Sequence, residues 1–237
     1  MQPRGPSSFA EAYALAEPIP GWLTEDQARR LYDDAAAVPP GGTVVEIGSH
    51  HGRSALMIAS ALPEGARLVA VDPFPEDWRY GAAGTEARFR ENLADAGLTA
   101  VVDLRVATSS EVRAGWDRPV HVVYVDGKHD YWTCRDDLRW SRHVVPGGTV
   151  LVHDAFSSLG VTTALLRELL VSRSLRYRGR VGSLARLEVG PPSVPDRLRV
   201  LAELPWWLRN LVVKVCLRLH LGLLARALGH HDQADPY

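Results

Sequence analysis

Cysteine is nearly absent from the sequence: Cys134 and Cys216 are its only two, far apart, which excludes a disulfide scaffold and a C-x-x-C zinc site. An excess of charge is also missing. Lys and Arg number 27 against 28 Asp and Glu, a net charge of −1, so the basic surplus of a general nucleic-acid binder is lacking and no nucleic acid is expected as a partner. No run of about 18 uncharged apolar residues occurs, and Glu11 and Glu17 interrupt the first residues before they reach signal-peptide length. The chain is therefore expected to be cytoplasmic, with peripheral attachment at the inner face of the membrane as the variant. There is no internal repeat or low-complexity tract. What is present is 237 residues, 46% apolar and 23% charged, a globular composition of a size for one full domain plus an appendage.

Pro18-Ile19-Pro20-Gly21 reads as a turn, and Thr24 with Gln27 three residues later forms a capping box that predicts a helix to about Ala37. From there strands and helices alternate. Strands are expected at 43–47, 67–71, 101–106, 120–125 and 149–152, with helices at 54–62, 85–96, 131–143 and 161–172. Continuous apolar strands separated by helices indicate a parallel sheet covered on both faces, an α/β fold. Residues 174–181 and 183–189, joined around Gly182 with no room for a crossover helix, should pair as an antiparallel hairpin.

The expected organisation is a tail at 1–17, the main domain at 18–190, a proline-rich linker at 191–195 and a basic helical appendage with tail at 196–237. Within the appendage, 197–228 carry +5 and leave −6 for the remainder. Trp206-Trp207 precede an apolar helix, Leu208 to Leu228, whose cations gather on no single face. Through 206–228 this helix has three possible partners: its own domain, a second copy, or an anionic membrane surface.

Ligands of open parallel sheets sit at the carboxyl ends of the strands, near the point where strand order reverses. After the first strand the chain reads Glu46-Ile47-Gly48-Ser49-His50-His51-Gly52-Arg53-Ser54, with Gly48 for a tight turn and Gly52 for close helix packing. A dinucleotide fingerprint would carry glycine at position 50. The Cβ of His50 obstructs the approach of a pyrophosphate, so a nucleoside without phosphates fits better than NAD. Asp72, ending the second strand, is placed to accept ribose hydroxyls. Trp78 and Tyr80 lie in a long polar stretch that reads as a lid over an acceptor. Asp130 reads as a helix cap, Asp136-Asp137 as a solvated helix face, and Trp132 and Trp140 as core.

Glu46-x-Gly48-x-x-x-Gly52-x-Ser54, Asp72, Ala107-Thr108-Ser109-Ser110-Glu111 and Asp126 at successive strand ends together resemble class I S-adenosylmethionine-dependent methyltransferases. Among these the chain is most similar to the metal-dependent O-methyltransferases, the branch of catechol-type enzymes and of actinobacterial sugar and antibiotic O-methyltransferases, over about residues 18 to 190. The resemblance implies a Rossmann-like doubly wound sheet, mostly parallel with an antiparallel C-terminal hairpin, to which the residues themselves add an N-terminal helix and a C-terminal helical appendage. It also implies S-adenosylmethionine along Glu46, Gly48, Ser49, His50 and Gly52, with Ser54 at its carboxylate, Asp72 at its ribose, Ser109 or Ser110 at its adenine, and Asp126 beside it.

Asp126 after the fourth strand and His153-Asp154 at the end of the fifth can share a hard cation such as Mg²⁺. His129, three residues past Asp126, stands where the family places its general base. Related enzymes often follow with a second ligand where this chain has Ala155, which leaves His153 open as ligand, as support for a ligand, or as a core imidazole. The expected activity is transfer of a methyl group to a hydroxyl of a sugar, glycan or natural product. The alternatives are a metal-independent methyltransferase of the same fold and a catalytically silent cofactor-binding or membrane-recruiting partner.

Overall fold

The computed structural model describes residues 5–75 and 83–229. Trp78 and Tyr80, expected in a lid, lie outside the described residues. Seven strands form one sheet in the order β3-β2-β1-β4-β5-β7-β6. They are β1 (Thr43–Ile47), β2 (Arg67–Val71), β3 (Val102–Arg105), β4 (Val120–Val125), β5 (Val144–Val152), β6 (Leu175–Val181) and β7 (Leu184–Val189). β1 to β5 pair in parallel, and β7 runs antiparallel to both β5 and β6. The sheet and its closing hairpin are those expected.

Alternate residues of the central strands enter two cores, one on each face. Val44, Leu68, Val122, Tyr124 and Leu151 face α1 (Phe9–Ala16), α2 (Glu25–Ala36), α3 (Arg53–Ala61) and α4 (Thr85–Asp95). Val45, Val69, Val123 and Val150 face α6 (Tyr131–Asp137), α7 (Leu159–Val171) and α8 (Val194–Ala202). A short α5 (Ser109–Ala114), opened by a capping box of Thr108 and Glu111, follows β3. The sequence reading had no helix there, because six residues are too few to show an apolar period.

Three further boundaries differ from expectation. Residues 1–17 are not simply a tail: Ser8 caps α1, whose Phe9, Ala12 and Ala16 are buried against the core. The helix expected at 131–143 is split, with a 3₁₀ turn over Leu138–Arg142. Residues 191–195 are not all linker, since Ser193 caps α8 in a capping box with Asp196. Asp196 serves at the third helical position. Tyr177 donates to Glu203 at 2.8 Å, and Val200 is buried, so α8 belongs to the main domain.

The apolar helix expected from Leu208 to Leu228 is two helices, α9 (Leu204–Arg218) and α10 (Gly222–Ala227). Between them His220 takes φ +57, its amide bonds the Leu217 carbonyl, and the Leu221 amide reaches back to the Cys216 carbonyl. This is a Schellman stop with histidine in the left-handed position that glycine usually fills. Without the glycine the stop carries no sequence signal.

Candidate active site

The chain runs outward from β1 to β3 and then returns to β4, so strand order reverses between β1 and β4. Gly48 and Asp126 stand at the carboxyl ends of that pair. Gly48 has φ +88, and a Cβ there would lie 2.2 Å from the Asp126 carbonyl oxygen; no other residue fits without displacing β4. Gly52 has φ +89 and packs so closely on α4 that a Cβ would meet Leu93 at 2.7 Å. His50 sits between them in the left-handed region at φ +46. An open cleft of about 1570 Å³ runs along these strand ends, lined among others by Gly48, His50, Asp72, Ser109, Asp126, His129 and Asp154.

Asp72 anchors the glycine turn. Its Oδ2 accepts from the amides of Ser49 and His50, each at 2.9 Å, and its Oδ1 from the amide of Phe74 at 2.7 Å. A carboxylate has about four acceptor positions, so these three bonds fix its orientation and leave capacity toward the cleft. Ser54, expected at a cofactor carboxylate, lines the cleft and donates to Glu46 Oε1 at 2.6 Å. Glu46 is fully buried, and this burial, against the hydroxyls of Ser49 and Ser54, pushes its pKa up to about 7.

Of the two serines expected near an adenine, Ser109 lines the cleft and accepts from Trp140 Nε1 at 2.9 Å. Ser110 is exposed and bonds Thr108. It does not line the cleft.

Asp137 contradicts its reading as a solvated residue. It is buried and lines the cleft, and burial pushes its pKa up to about 6. Cys134, Asp137 and Leu138 are all buried on α6 and the turn after it, and this i, i+3, i+4 spacing was the available signal. Asp136, its neighbour, pairs with Arg113 and Arg139. Trp140 is core as expected, whereas Trp132 is exposed. Asp130 caps α6 as expected, accepting from the amides of Trp132 and Thr133.

Asp126, His129, His153 and Asp154 converge at the other end of the cleft. His129 Nδ1 lies 3.1 Å from Asp154 Oδ2, and its Nε2 3.7 Å from Asp126 Oδ1. His153 Nδ1 lies 3.3 Å from Asp126 Oδ1 yet makes no hydrogen bond, while its Nε2 meets Gln27 Oε1 at 3.4 Å. Tyr124 donates to Asp126 Oδ2 at 2.8 Å, and Ser157 to Asp154 Oδ1 at 3.0 Å. Burial works against charge on all four groups, but their mutual attraction is stronger. It holds both carboxyls below the ordinary range and raises both imidazoles.

Donor atoms of Asp126, His153 and Asp154 lie within 4.8 Å of one another. Two carboxylates and an imidazole with a free Nδ1, its other nitrogen turned to a carbonyl oxygen, fit a divalent cation. Gln27 escaped the sequence reading beyond its capping role. It joins the α2 cap, His153 and Ser183, whose hydroxyl accepts from Gln27 Nε2 at 3.1 Å.

The loop after β5 is strained: Asp154 has φ +54 and the buried, bulky Phe156 has φ +58. It is held from α9, where Asn210 Nδ2 donates to the Phe156 carbonyl at 2.9 Å and Lys214 Nζ to the Ser157 carbonyl at 2.6 Å. Sequence reasoning counts Lys214 only among the appendage's cations and gives Asn210 no role.

Residues 45–155 match the model of a methyltransferase domain. The match runs from β1 through β5 and so spans every residue from Glu46 to Asp154 that the cleft brings together.

Solved structures similar to this chain include TomG from Streptomyces achromogenes, an O-methyltransferase of tomaymycin synthesis in complex with SAM. It is 20% identical, with 79% of this chain and 91% of TomG covered and a TM-score of 0.58. An O-methyltransferase from Bacillus cereus in complex with SAH is 17% identical, covering 78% and 92% at a TM-score of 0.58. An rRNA methylase from Streptococcus thermophilus is 14% identical, covering 67% and 93% at 0.50. The chain thus has the Rossmann-like fold of class I S-adenosylmethionine-dependent methyltransferases, a fold shared by proteins named for different acceptors.

The cleft fits that cofactor on its own geometry. The Asp72 carboxylate is fixed with acceptor capacity to spare, and the buried polar Asp137 also lines the cleft. Among the described residues no helix is long and apolar enough to cross a membrane.

Proposed function

We propose that the protein is an O-methyltransferase acting on a hydroxyl of a small-molecule or glycan acceptor, with His129 as general base. The observation that carries this reading is the placement of His129 beside Asp126 and Asp154, at the opposite end of the cleft from Asp72. S-adenosylmethionine, when bound, supplies a methyl group on a sulfonium, a carbon already activated toward nucleophiles. In this reading the backbone of Gly48, Ser49, His50 and Gly52 receives the amino-acid part, Asp72 the ribose hydroxyls, and Ser109 with Asp137 the base.

His129 in its neutral form takes the acceptor's hydroxyl proton at Nε2, and Asp154 beside Nδ1 orients the ring and stabilises the imidazolium that results. Asp126, His153 and Asp154 would hold a divalent cation, Mg²⁺ being the first to test, which would supply stabilisation of the developing alkoxide. With a favourable leaving group supplied, the protein's main task is alignment of oxygen and methyl carbon.

A second reading, metal-independent transfer, is favoured by His153 itself. An imidazole raised well above its ordinary pKa beside Asp126 places a positive charge in the cluster without an ion. Turnover with sugar and phenol acceptors, followed as S-adenosylhomocysteine release with and without chelator, separates the two. Loss of turnover in chelator with restoration by Mg²⁺ supports the first reading, and unchanged turnover the second. No product with any acceptor, in a protein that still binds S-adenosylmethionine, contradicts both.

A further inference from the structure

We infer that the α9–α10 hairpin docks on an anionic lipid surface and sets the mouth of the cleft against it. α9 is an inverted amphipathic helix. Its polar side chains Asn210 and Lys214 point into the protein, on the Phe156 and Ser157 carbonyls, and Val213 and Cys216 are buried beside Ala225 of α10. Its opposite face carries Leu208, Val212, Val215 and Leu219, spaced i, i+4, i+7, i+11 and therefore on one stripe. Leu208 is 63% exposed and Leu219 62%. α10 extends the apolar surface with Leu223, 83% exposed, and Leu224.

A helix that turns its polar groups inward and a stripe of leucines outward presents a contact surface. Charge identifies what covers it. Arg218 and Arg226 are exposed on the hairpin, while Arg209 lies on the Leu228 carbonyl and Lys214 on that of Ser157, and residues 204–229 contain not one acidic residue in a chain whose net charge is −1. A second copy packed face to face across a two-fold axis would set these cations against themselves. An anionic bilayer meets both features at once, with leucines entering the headgroup boundary and arginines meeting lipid phosphates.

The stripe is continuous with the site. Val215 and Arg218 also line the cleft, so the surface that touches lipid is one wall of the pocket. An acceptor that is itself an amphiphile, its hydroxyl in the headgroup layer, would reach His129 without leaving the bilayer. That last step rests on the proposed methyl transfer; the docking does not.

The test is co-sedimentation of the full chain with phosphatidylcholine vesicles containing or lacking phosphatidylglycerol. The comparison variant is Leu219→Ser/Leu223→Ser, whose exposed positions leave the core untouched. Size-exclusion chromatography and calorimetric titration with S-adenosylhomocysteine are run on both proteins. The expected result is pelleting with the anionic vesicles at least fivefold above that with neutral ones, weakened by salt and lost in the variant, with cofactor affinity unchanged.

Equal pelleting of both proteins, no pelleting on anionic vesicles, or a dimer that the variant converts to monomer would each overturn the docking proposal. Failure of cofactor binding in the native chain would instead count against the methyltransferase reading and leave the vesicle result standing.

Discussion

The two ends of the cleft are made of different materials. Around β1 and β2 the surface is largely backbone: left-handed glycines, and amides of Ser49, His50 and Phe74 aimed at the single carboxylate of Asp72. Around β4 and β5 it is a cluster of ionisable side chains, two aspartates and two histidines within ion-pair distance. A backbone cradle suits a constant ligand, because its shape is set by the chain path. A charged cluster suits proton and charge movement, because each group shifts its neighbours' pKa values. Binding and chemistry should therefore be separable by mutation, although the two ends share one pocket.

The largest expected effect is His129→Ala. Loss of a general base lowers kcat about 100- to 10,000-fold, measured as S-adenosylhomocysteine release at saturating cofactor. Residual activity near that of the native protein would remove His129 from the chemistry.

Next is Asn210→Ala, which frees the Phe156 carbonyl and the strained loop that carries Asp154. Since a small misplacement of a reacting group can cost up to about 100-fold, a fall in kcat of about tenfold is expected with KM for S-adenosylmethionine unchanged. A rise in that KM instead would show that α9 supports the cofactor end as well.

The smallest effect is a pH dependence of stability at Glu46→Gln. The native state keeps a proton on Glu46 up to about pH 7, whereas the unfolded chain releases it near the ordinary glutamate value. The stability this group contributes is fully present below about pH 4.5 and is lost as pH rises through about 7. Glutamine cannot ionise, so the variant's Tm should gain on the native protein between pH 5 and pH 8, with a ceiling of about 3 kcal/mol for a shift of this size. A Tm difference that is flat across that range would mean Glu46 stays ionised.

The contrast between the two ends also explains what could be read in advance. Gly48, Gly52 and Asp72 were legible because left-handed turns and close backbone approach demand glycine, and a strand end exposes its next residue. His129 and Asp154 were legible from their residue types at strand ends. The bond of Ser54 to Glu46 was not legible, because sequence spacing does not say which of the nearby acceptors a hydroxyl meets. Asp137 was missed because a pair of acids on a helix suggests solvent unless its apolar neighbours at i−3 and i+1 are counted.

Asn210 and Lys214 were illegible for another reason. They act on carbonyls more than fifty residues away, and no local pattern encodes such a contact. The break between α9 and α10 was hidden because His220 occupies a position where glycine would have announced it.

The most direct test of a cleft divided between binding and chemistry is calorimetric titration of S-adenosylmethionine into the native protein, Asp72→Ala and His129→Ala under one set of conditions. Asp72→Ala removes a charged acceptor, a loss of about 2 kcal/mol or more. The dissociation constant should therefore rise at least tenfold for Asp72→Ala and stay within about twofold of native for His129→Ala. Equal weakening in both variants, or no binding by the native protein, would contradict the division.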